Sequence, residues 1–223
     1  MNLALSQIFT AEQLAGLQQQ VSQLKFVDGA STAGWHAKLV KKNLQADAKD
    51  ELTQKLTAGI REALLKHPLV QTALLPRRIR MPLISRYEPG MEYGAHVDNA
   101  LMGGSEAVRT DIAITVFLTE PSSCDGGELV IESASGLQKF KLEAGQGISY
   151  PATTLHRVAS ISRGHRIAAV TWVQSFVRDA AQREILFDLM SAQRSIFKKD
   201  GKSREFDLLA KTYANLLRRW SEN

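Results

Sequence analysis

The chain of 223 residues has a single cysteine, Cys124, so an intrachain disulfide is excluded and a reducing compartment, the cytoplasm, is expected. No apolar run approaches the length needed to cross a bilayer, and no membrane partner is expected. Residues 1–9 lack a basic segment and a cleavage site, so they are not read as a secretory leader. Histidine is scarce, at five residues. Charge of one sign is only mildly in excess, at +5. Most of that excess sits in short clusters, Lys41-Lys42, Arg77-Arg78 with Arg80, Lys198-Lys199 and Arg218-Arg219. Such clusters read as solvated surface, which argues against a nucleic-acid partner, although some of this charge could serve an anionic ligand. The remaining composition, 44% hydrophobic and 23% charged, is that of an ordinary globular domain with appendages.

The patterning separates three regions. In residues 1–77, Thr10 and Gln13 form a capping box that opens a helix to about residue 24. A Gly/Ser/Thr loop over 27–34 and an ambiguous strand or extended stretch over 35–45 follow. Leu52, Leu56, Ile60 and Leu64 recur at helical spacing over 47–66, until His67-Pro68 ends that helix. Both helices are expected to buttress one sheet. From residue 70 the pattern is strands and turns, and the core is placed at 78–177. Ile112, Ile114, Val116 and Leu118 alternate, and Gly126-Gly127, Gly136 and Gly145-Gln146-Gly147 punctuate short strands. Short strands at this spacing predict a jelly roll. In 178–223, Asp179 caps a helix to about residue 197 and Lys198 to Lys202 forms a turn. Ser203 then caps a last helix with Phe206, Leu209, Tyr213, Leu216, Leu217 and Trp220 on one face. That stripe must be covered, by the core or by a second copy. The fold class is therefore α+β, a double-stranded β-helix with N-terminal supporting helices and a C-terminal helical extension.

His96, Val97 and Asp98 form an H-x-D triplet after a strand-like run over 79–87 and the turn Glu88-Pro89-Gly90. On a strand, residues i and i+2 share a side, so His96 and Asp98 can point at one metal. His156 follows another strand-and-turn pattern, and Arg166 opens the apolar run over 166–173. Two imidazoles and one carboxylate occupy one face of iron(II) and leave the other face open. A guanidinium offers a planar fork to a carboxylate nearby. H-x-D alone is a weak signal, and two histidines at strand ends can be ordinary polar residues. The joint order of all four residues points to a non-haem iron oxygenase that uses 2-oxoglutarate.

The wording around the triplet, Arg86-Tyr-Glu-Pro-Gly-Met-Glu-Tyr-Gly-Ala-His-Val-Asp-Asn99, resembles the prolyl-4-hydroxylase-like branch of the 2-oxoglutarate oxygenases. More narrowly, the chain resembles the bacterial PKHD-type hydroxylases. The matching pieces are Asp28-Gly29 with Thr32-Ala33-Gly34, Val40-Lys41-Lys42-Asn43, the H-V-D stretch, Arg109-Thr110-Asp111, Gly126-Gly127-Glu128-Leu129 and Leu155-His156-Arg157-Val158. The resemblance implies an Fe(2+) site at His96, Asp98 and His156. It implies 2-oxoglutarate and O2 as co-substrates, with Arg166 on the distal carboxylate, L-ascorbate as support, and release of succinate and CO2. The implied prime substrate is a small molecule or peptide, prolyl by the branch's name, with a role linked to iron homeostasis.

Several residues have a plainer reading beside the functional one. Tyr87 matches a family hydroxyl that bonds the co-substrate, or is a half-buried strand aromatic. Asn99 either orients a ligand at the substrate mouth or caps a turn. Arg109 lines that mouth or forms a structural pair with Asp111. Arg163 competes with Arg166 but falls in a turn, and His36, His67 and His165 are expected not to be ligands. Two other functions compete: a non-catalytic iron or 2-oxoglutarate sensor, and an oxidative nucleic-acid demethylase. The demethylases carry a further arginine where this chain has Trp172.

Overall fold

The computed structural model describes every residue except Met1, Ala33, Trp35, His36, Ser105, Glu106 and Asn223, together with the side chains of Ser31 and Thr32. His36, expected not to be a ligand, lies outside the described residues. The major sheet runs β1 (Leu3–Leu5), β14 (Gly147–Pro151), β10 (Ile112–Phe117), β17 (Arg166–Ser175), β6 (Leu83–Tyr87), β4 (Leu44–Ala46) and β2 (Phe26–Asp28), with β5 (Pro76–Ile79) also on β17. The minor sheet runs β13 (Gly136–Phe140), β12 (Leu129–Ser133), β15 (His156–Val158), β7 (Glu92–His96) and β3 (Lys41–Lys42). β11 (Cys124–Gly126) pairs β16 (Ile161–Gly164), and β8 (Leu101–Met102) pairs β9 (Val108–Arg109). Pairing is antiparallel throughout the ladders that build the two main sheets. This is the architecture expected of the double-stranded β-helix.

β10 is buried on both faces, and its alternation sorts two cores. Ile112, Ile114 and Val116 face outward, where Leu17 and Val21 of α1 (Ala11–Val21) and Leu56, Ile60 and Leu64 of α2 (Glu51–Lys66) cover them. Ala113 and Phe117 face inward with Leu129, Ile131, Tyr150 and Trp172. The helices thus buttress the outer face of the major sheet. Thr10 and Gln13 complete the capping box on α1, which supplies partners for backbone groups that the first turn leaves open.

Residues 1–77 do more than buttress, since β1 to β5 place strands in both sheets. The loop expected over 27–34 begins as strand β2, and the ambiguous stretch after it resolves into a 3₁₀ turn, Ala37–Val40, followed by β3 and β4. α2 ends at His67 as expected. His67 is buried at that end, where its ring donates from Nε2 to the Ser6 carbonyl at 2.8 Å. Instead of passing straight into strands, the chain then makes a π-helical turn, Val70–Leu74.

The C-terminal extension forms α3 (Ala180–Asp200) and α4 (Arg204–Trp220). α3 runs past Phe197, so the turn expected at Lys198 starts only at Gly201, whose φ of 66° lies in the region that favours glycine. Tyr213, Leu216, Leu217 and Trp220 cover Leu75, Val177 and Leu186 of the same chain. Part of this stripe is thus covered within the chain, and all of its residues remain half-buried. Isolated helices of this length are marginal in water, so the packing holds α4 rather than the reverse. Deleting residues 201–223 should expose Val177 and Leu186, each now fully buried. Each such side chain contributes about 1.5–3 kcal/mol on burial. The melting temperature should fall by several degrees, or the protein should aggregate; unchanged melting and sedimentation would show the tail to be dispensable.

Candidate active site

The two sheets part at one end around a cavity of about 470 Å³. His96 ends β7 and His156 opens β15, and the two are direct cross-strand partners in the minor sheet. Pairing brings their ring centroids to 4.3 Å. Asp98 is not on the strand as the i, i+2 argument assumed. It lies in the irregular stretch just past the end of β7, yet its Oδ1 reaches to 3.9 Å from His156 Nε2. One ligand atom from each of the three residues lies within 4.8 Å of the others.

The donor set fits a divalent cation. His96 Nδ1 lies 2.8 Å from the Gly94 carbonyl, and His156 Nδ1 lies 2.9 Å from the Thr154 carbonyl. A carbonyl only accepts, so Nδ1 carries the proton in both rings and each Nε2 keeps its lone pair for a metal. Asp98 Oδ2 is buried with no hydrogen-bond partner. Burial pushes the Asp98 carboxyl up, against the opposing pull of His156, the Trp172 indole and the Lys41 ammonium. The Trp172 N–H is near enough to favour the carboxylate but is not aligned for a full hydrogen bond. A cation at this point would supply the missing partner.

Behind the triad, Arg166 is 3% exposed at the start of β17, paired in register with Tyr87 on β6. Its guanidinium sits 5.3 Å from the Tyr87 ring centroid and 5.2 Å from that of Phe117. No carboxylate pairs with it among the described residues, and its Nε has no partner. Burial accordingly pushes the guanidinium pKa down. Ala168 and Val170 continue the same face, and Val170 lines the cavity. Tyr87 is fully buried, its phenol pushed up by burial, and it lines the cavity beside Asn43.

Gly127 shapes the pocket for Arg166. Its φ is +74°, and an added Cβ would lie 2.5 Å from Ile161 Cδ1 and 3.1 Å from Arg166 Cδ. Gly127→Ala should cost about 1–3 kcal/mol from backbone strain alone. It should also weaken 2-oxoglutarate binding by displacing the arginine stem. A melt and a 2-oxoglutarate titration check this, and wild-type values in both would show that the pocket yields.

The other site expectations divide. Asn99 is on the exposed rim of the cavity, with its carbonyl accepting from Thr110 Oγ1 at 2.6 Å. Arg109 is not among the lining residues, and of its two readings the structural pair with Asp111 is the one found. Asp111 takes its Nε at 2.7 Å and Glu222 takes its Nη1 at 2.6 Å, which ties the C-terminus to β10. Arg163 is exposed and bound to Asp125 at 2.7 Å, on β16 rather than in a turn. His165 is exposed as well. Sequence reasoning missed Lys41, Asn43, Arg80 and Tyr93, all of which line the cavity. Lys41 Nζ lies 5.2 Å over the Tyr93 ring, which stacks on His96 at 3.6 Å. Burial lowers the Lys41 pKa to about 8, against the fields of Asp28 and Asp98. A signal for Lys41 was present, since it falls inside the Val40-Lys41-Lys42-Asn43 piece of the family resemblance.

Comparison with known proteins identifies the family. Residues 82–174 match the 2OG-Fe(II) oxygenase superfamily, and residues 180–222 match the PKHD-type hydroxylase C-terminal domain. A PKHD-type hydroxylase of Acaryochloris marina is 50% identical over 222 residues, covering 100% of both chains. One from Crocosphaera subtropica is 51% identical over 222 residues, again covering 100% of both. Among solved structures, a prolyl hydroxylase from Trichoplax adhaerens, in complex with a hypoxia inducible factor peptide fragment, superposes with a TM-score of 0.57 at 15% identity, covering 82% of this chain and 86% of that one. HygX from Streptomyces hygroscopicus, with nickel, 2-oxoglutarate and hygromycin B bound, gives 0.54 at 13% identity, covering 79% and 84%. At those identities the likeness establishes the fold alone, but full-length identity near one half establishes more, and the chain belongs to the PKHD-type hydroxylases, a family of Fe(II)- and 2-oxoglutarate-dependent dioxygenases.

Proposed function

We propose that this hydroxylase acts on a prolyl or other peptide-like substrate, with 2-oxoglutarate held by Arg166 and Tyr87 and iron(II) held by His96, Asp98 and His156. One observation carries the assignment of parts: an unpaired buried guanidinium and three convergent metal donors share one cavity. When bound, the iron supplies the redox chemistry. The protein's own residues bind, orient and exclude water. Nδ1–H bonds to carbonyls fix both imidazoles, and Arg166 fixes the co-substrate's far carboxylate. Tyr87 and Phe117 wall the guanidinium away from solvent, which strengthens its hold on an anion.

Support for a peptide-like substrate comes from a residue beside Tyr87. Asn43 is buried and lines the cavity with its amide beside the Tyr87 phenol, and neither amide atom finds a fully aligned partner. A side-chain amide offers one donor and one acceptor, which matches a peptide group. The prolyl hydroxylase from Trichoplax adhaerens is named for a prolyl substrate, whereas HygX binds hygromycin B, so the shared fold does not choose between them. The test is an untargeted peptide and metabolite comparison with and without the iron-loaded protein. A gain of one oxygen, matched by succinate, is expected. Iron and 2-oxoglutarate binding with no succinate formed under any substrate would instead favour a sensor.

The same reading extends to physiology. L-ascorbate is proposed to keep the iron ferrous, so omitting it should shorten the burst of turnover. With one buried cysteine and a need for ferrous iron, the cytoplasm is the proposed compartment and iron homeostasis the proposed context.

A further inference from the structure

We propose that the prime substrate carries an oxyanion, a carboxylate or phosphate, and that Arg80 receives it at the far end of the cavity from Arg166. This rests on reading the cavity as the hydroxylation site. Arg80 lines the cavity that holds the triad. Its backbone is fixed against β17, with its N–H donating to the Trp172 carbonyl at 3.0 Å and its carbonyl accepting from Thr171 Oγ1 at 2.7 Å. The preceding Ile79 pairs with Val173 and points into the outer core. Strand alternation therefore turns Arg80 to the inner face, beside Trp172.

The guanidinium at this position is unanswered. Arg86, Arg109 and Arg163 each pair with a carboxylate, at 2.8, 2.7 and 2.7 Å. Arg80 has no such pair among the described residues, and its Nε is buried without a partner. Burial lowers its pKa with no carboxylate acting the other way. Arg80 is half-buried, so its unpaired guanidinium is partly desolvated in the free protein, and a bound anion would offset part of that cost.

The anion in question is not 2-oxoglutarate. Arg166 and Trp172 are the first and fourth residues on one face of β17, which at about 3.3 Å per residue puts them about 20 Å apart along the strand. That is a separation of backbone positions; on the proposed reading a five-carbon diacid held by Arg166 has its other end at the triad, so both of its carboxylates are already placed without Arg80. Charge leads to the same conclusion. Iron(II) and Arg166 together balance Asp98 and the two carboxylates of 2-oxoglutarate. Lys41 and Arg80 then remain as positive charge on the wall, and only Lys41 has a further carboxylate, Asp28, acting on it.

The test uses the full chain, loaded with iron(II) and saturating 2-oxoglutarate under nitrogen. Binding is measured for prolyl peptides of one to three residues, each as the free C-terminal acid and as the matching amide, and for inorganic phosphate. At least one acid should bind about tenfold or more tightly than its amide, or phosphate should raise the melting temperature. Arg80→Gln should erase that preference and that stabilisation, and Arg80→Lys should keep part of each. Phosphate competition with the acid would mark a general oxyanion site, and its absence a carboxylate site. Because the charge lost in Arg80→Gln has no partner in the free protein, the variant should melt at or above the wild-type temperature. A lower melting temperature would make Arg80 a structural residue and overturn the proposal. So would a preference that survives in Arg80→Gln, or wild-type protein indifferent to every acid and to phosphate. None of these readings uses turnover, so failure to form succinate would sink the assigned function while leaving this comparison intact.

Discussion

His156→Ala is expected to lose stoichiometric iron(II) and, with it, all turnover of 2-oxoglutarate. Two donors then remain, His96 and Asp98, on one side of the site. Losing a residue that merely orients a ligand lowers metal affinity about 10–100-fold, so losing a ligand itself should exceed that. His156 is also buried, with its ring edge-on to Tyr150 at 5.1 Å. The substitution therefore opens a small void, and a stability loss of about 1–3 kcal/mol is expected beside the metal effect. Thermal melting separates the two: a folded variant without iron supports the triad, whereas a folded variant with full iron and wild-type succinate formation refutes it. His96→Ala should behave alike, but with a larger packing loss because Tyr93 stacks on that ring.

The triad was readable in the sequence because two independent regularities meet there. Strand alternation and turn residues place His96 and His156 at strand ends, and the H-x-D spacing places a carboxylate within reach. What could not be read was that these ends are cross-strand partners, His156 opposite His96. That pairing is long-range and leaves no local trace. Arg109 shows the same limit: its local pair with Asp111 is one of the two readings the sequence offered, whereas its second partner, Glu222, lies at the other end of the chain and only the folded tail brings it there. The π-helical turn at Val70–Leu74 escaped because a short apolar run fits several local structures, and here tertiary packing on α3 decides. Arg80 looked like part of a surface cluster with Arg77 and Arg78. Alternation distinguishes it, since Ile79 faces the outer core and Arg80 faces the cavity. That inference needs the register of β5 on β17, which the sequence does not state.

Arg166→Ala is expected to weaken 2-oxoglutarate binding while leaving iron affinity nearly unchanged. The arginine is not a metal donor, so the ion site keeps His96, Asp98 and His156. The co-substrate's distal carboxylate would instead face Tyr87, Phe117 and the apolar wall without a cation. Truncating one partner of a buried charged pair costs about 2–5 kcal/mol. At about 1.4 kcal/mol per tenfold, the affinity falls about thirtyfold or more. Lysine keeps the charge but lacks the planar fork and the stacking on Tyr87, so Arg166→Lys should fall between alanine and wild type. In the free protein the alanine variant should not be less stable through lost ion pairing, because Arg166 has no carboxylate partner among the described residues; any loss reflects packing of its stem against Gly127. Arg163→Ala supplies the contrast, since its exposed, solvent-screened pair with Asp125 lies outside the cavity. The measurement is a 2-oxoglutarate titration of the iron(II) protein under nitrogen, followed by its charge-transfer band. Wild-type affinity in Arg166→Ala, together with lost affinity in Arg163→Ala, would move the co-substrate to the other arginine.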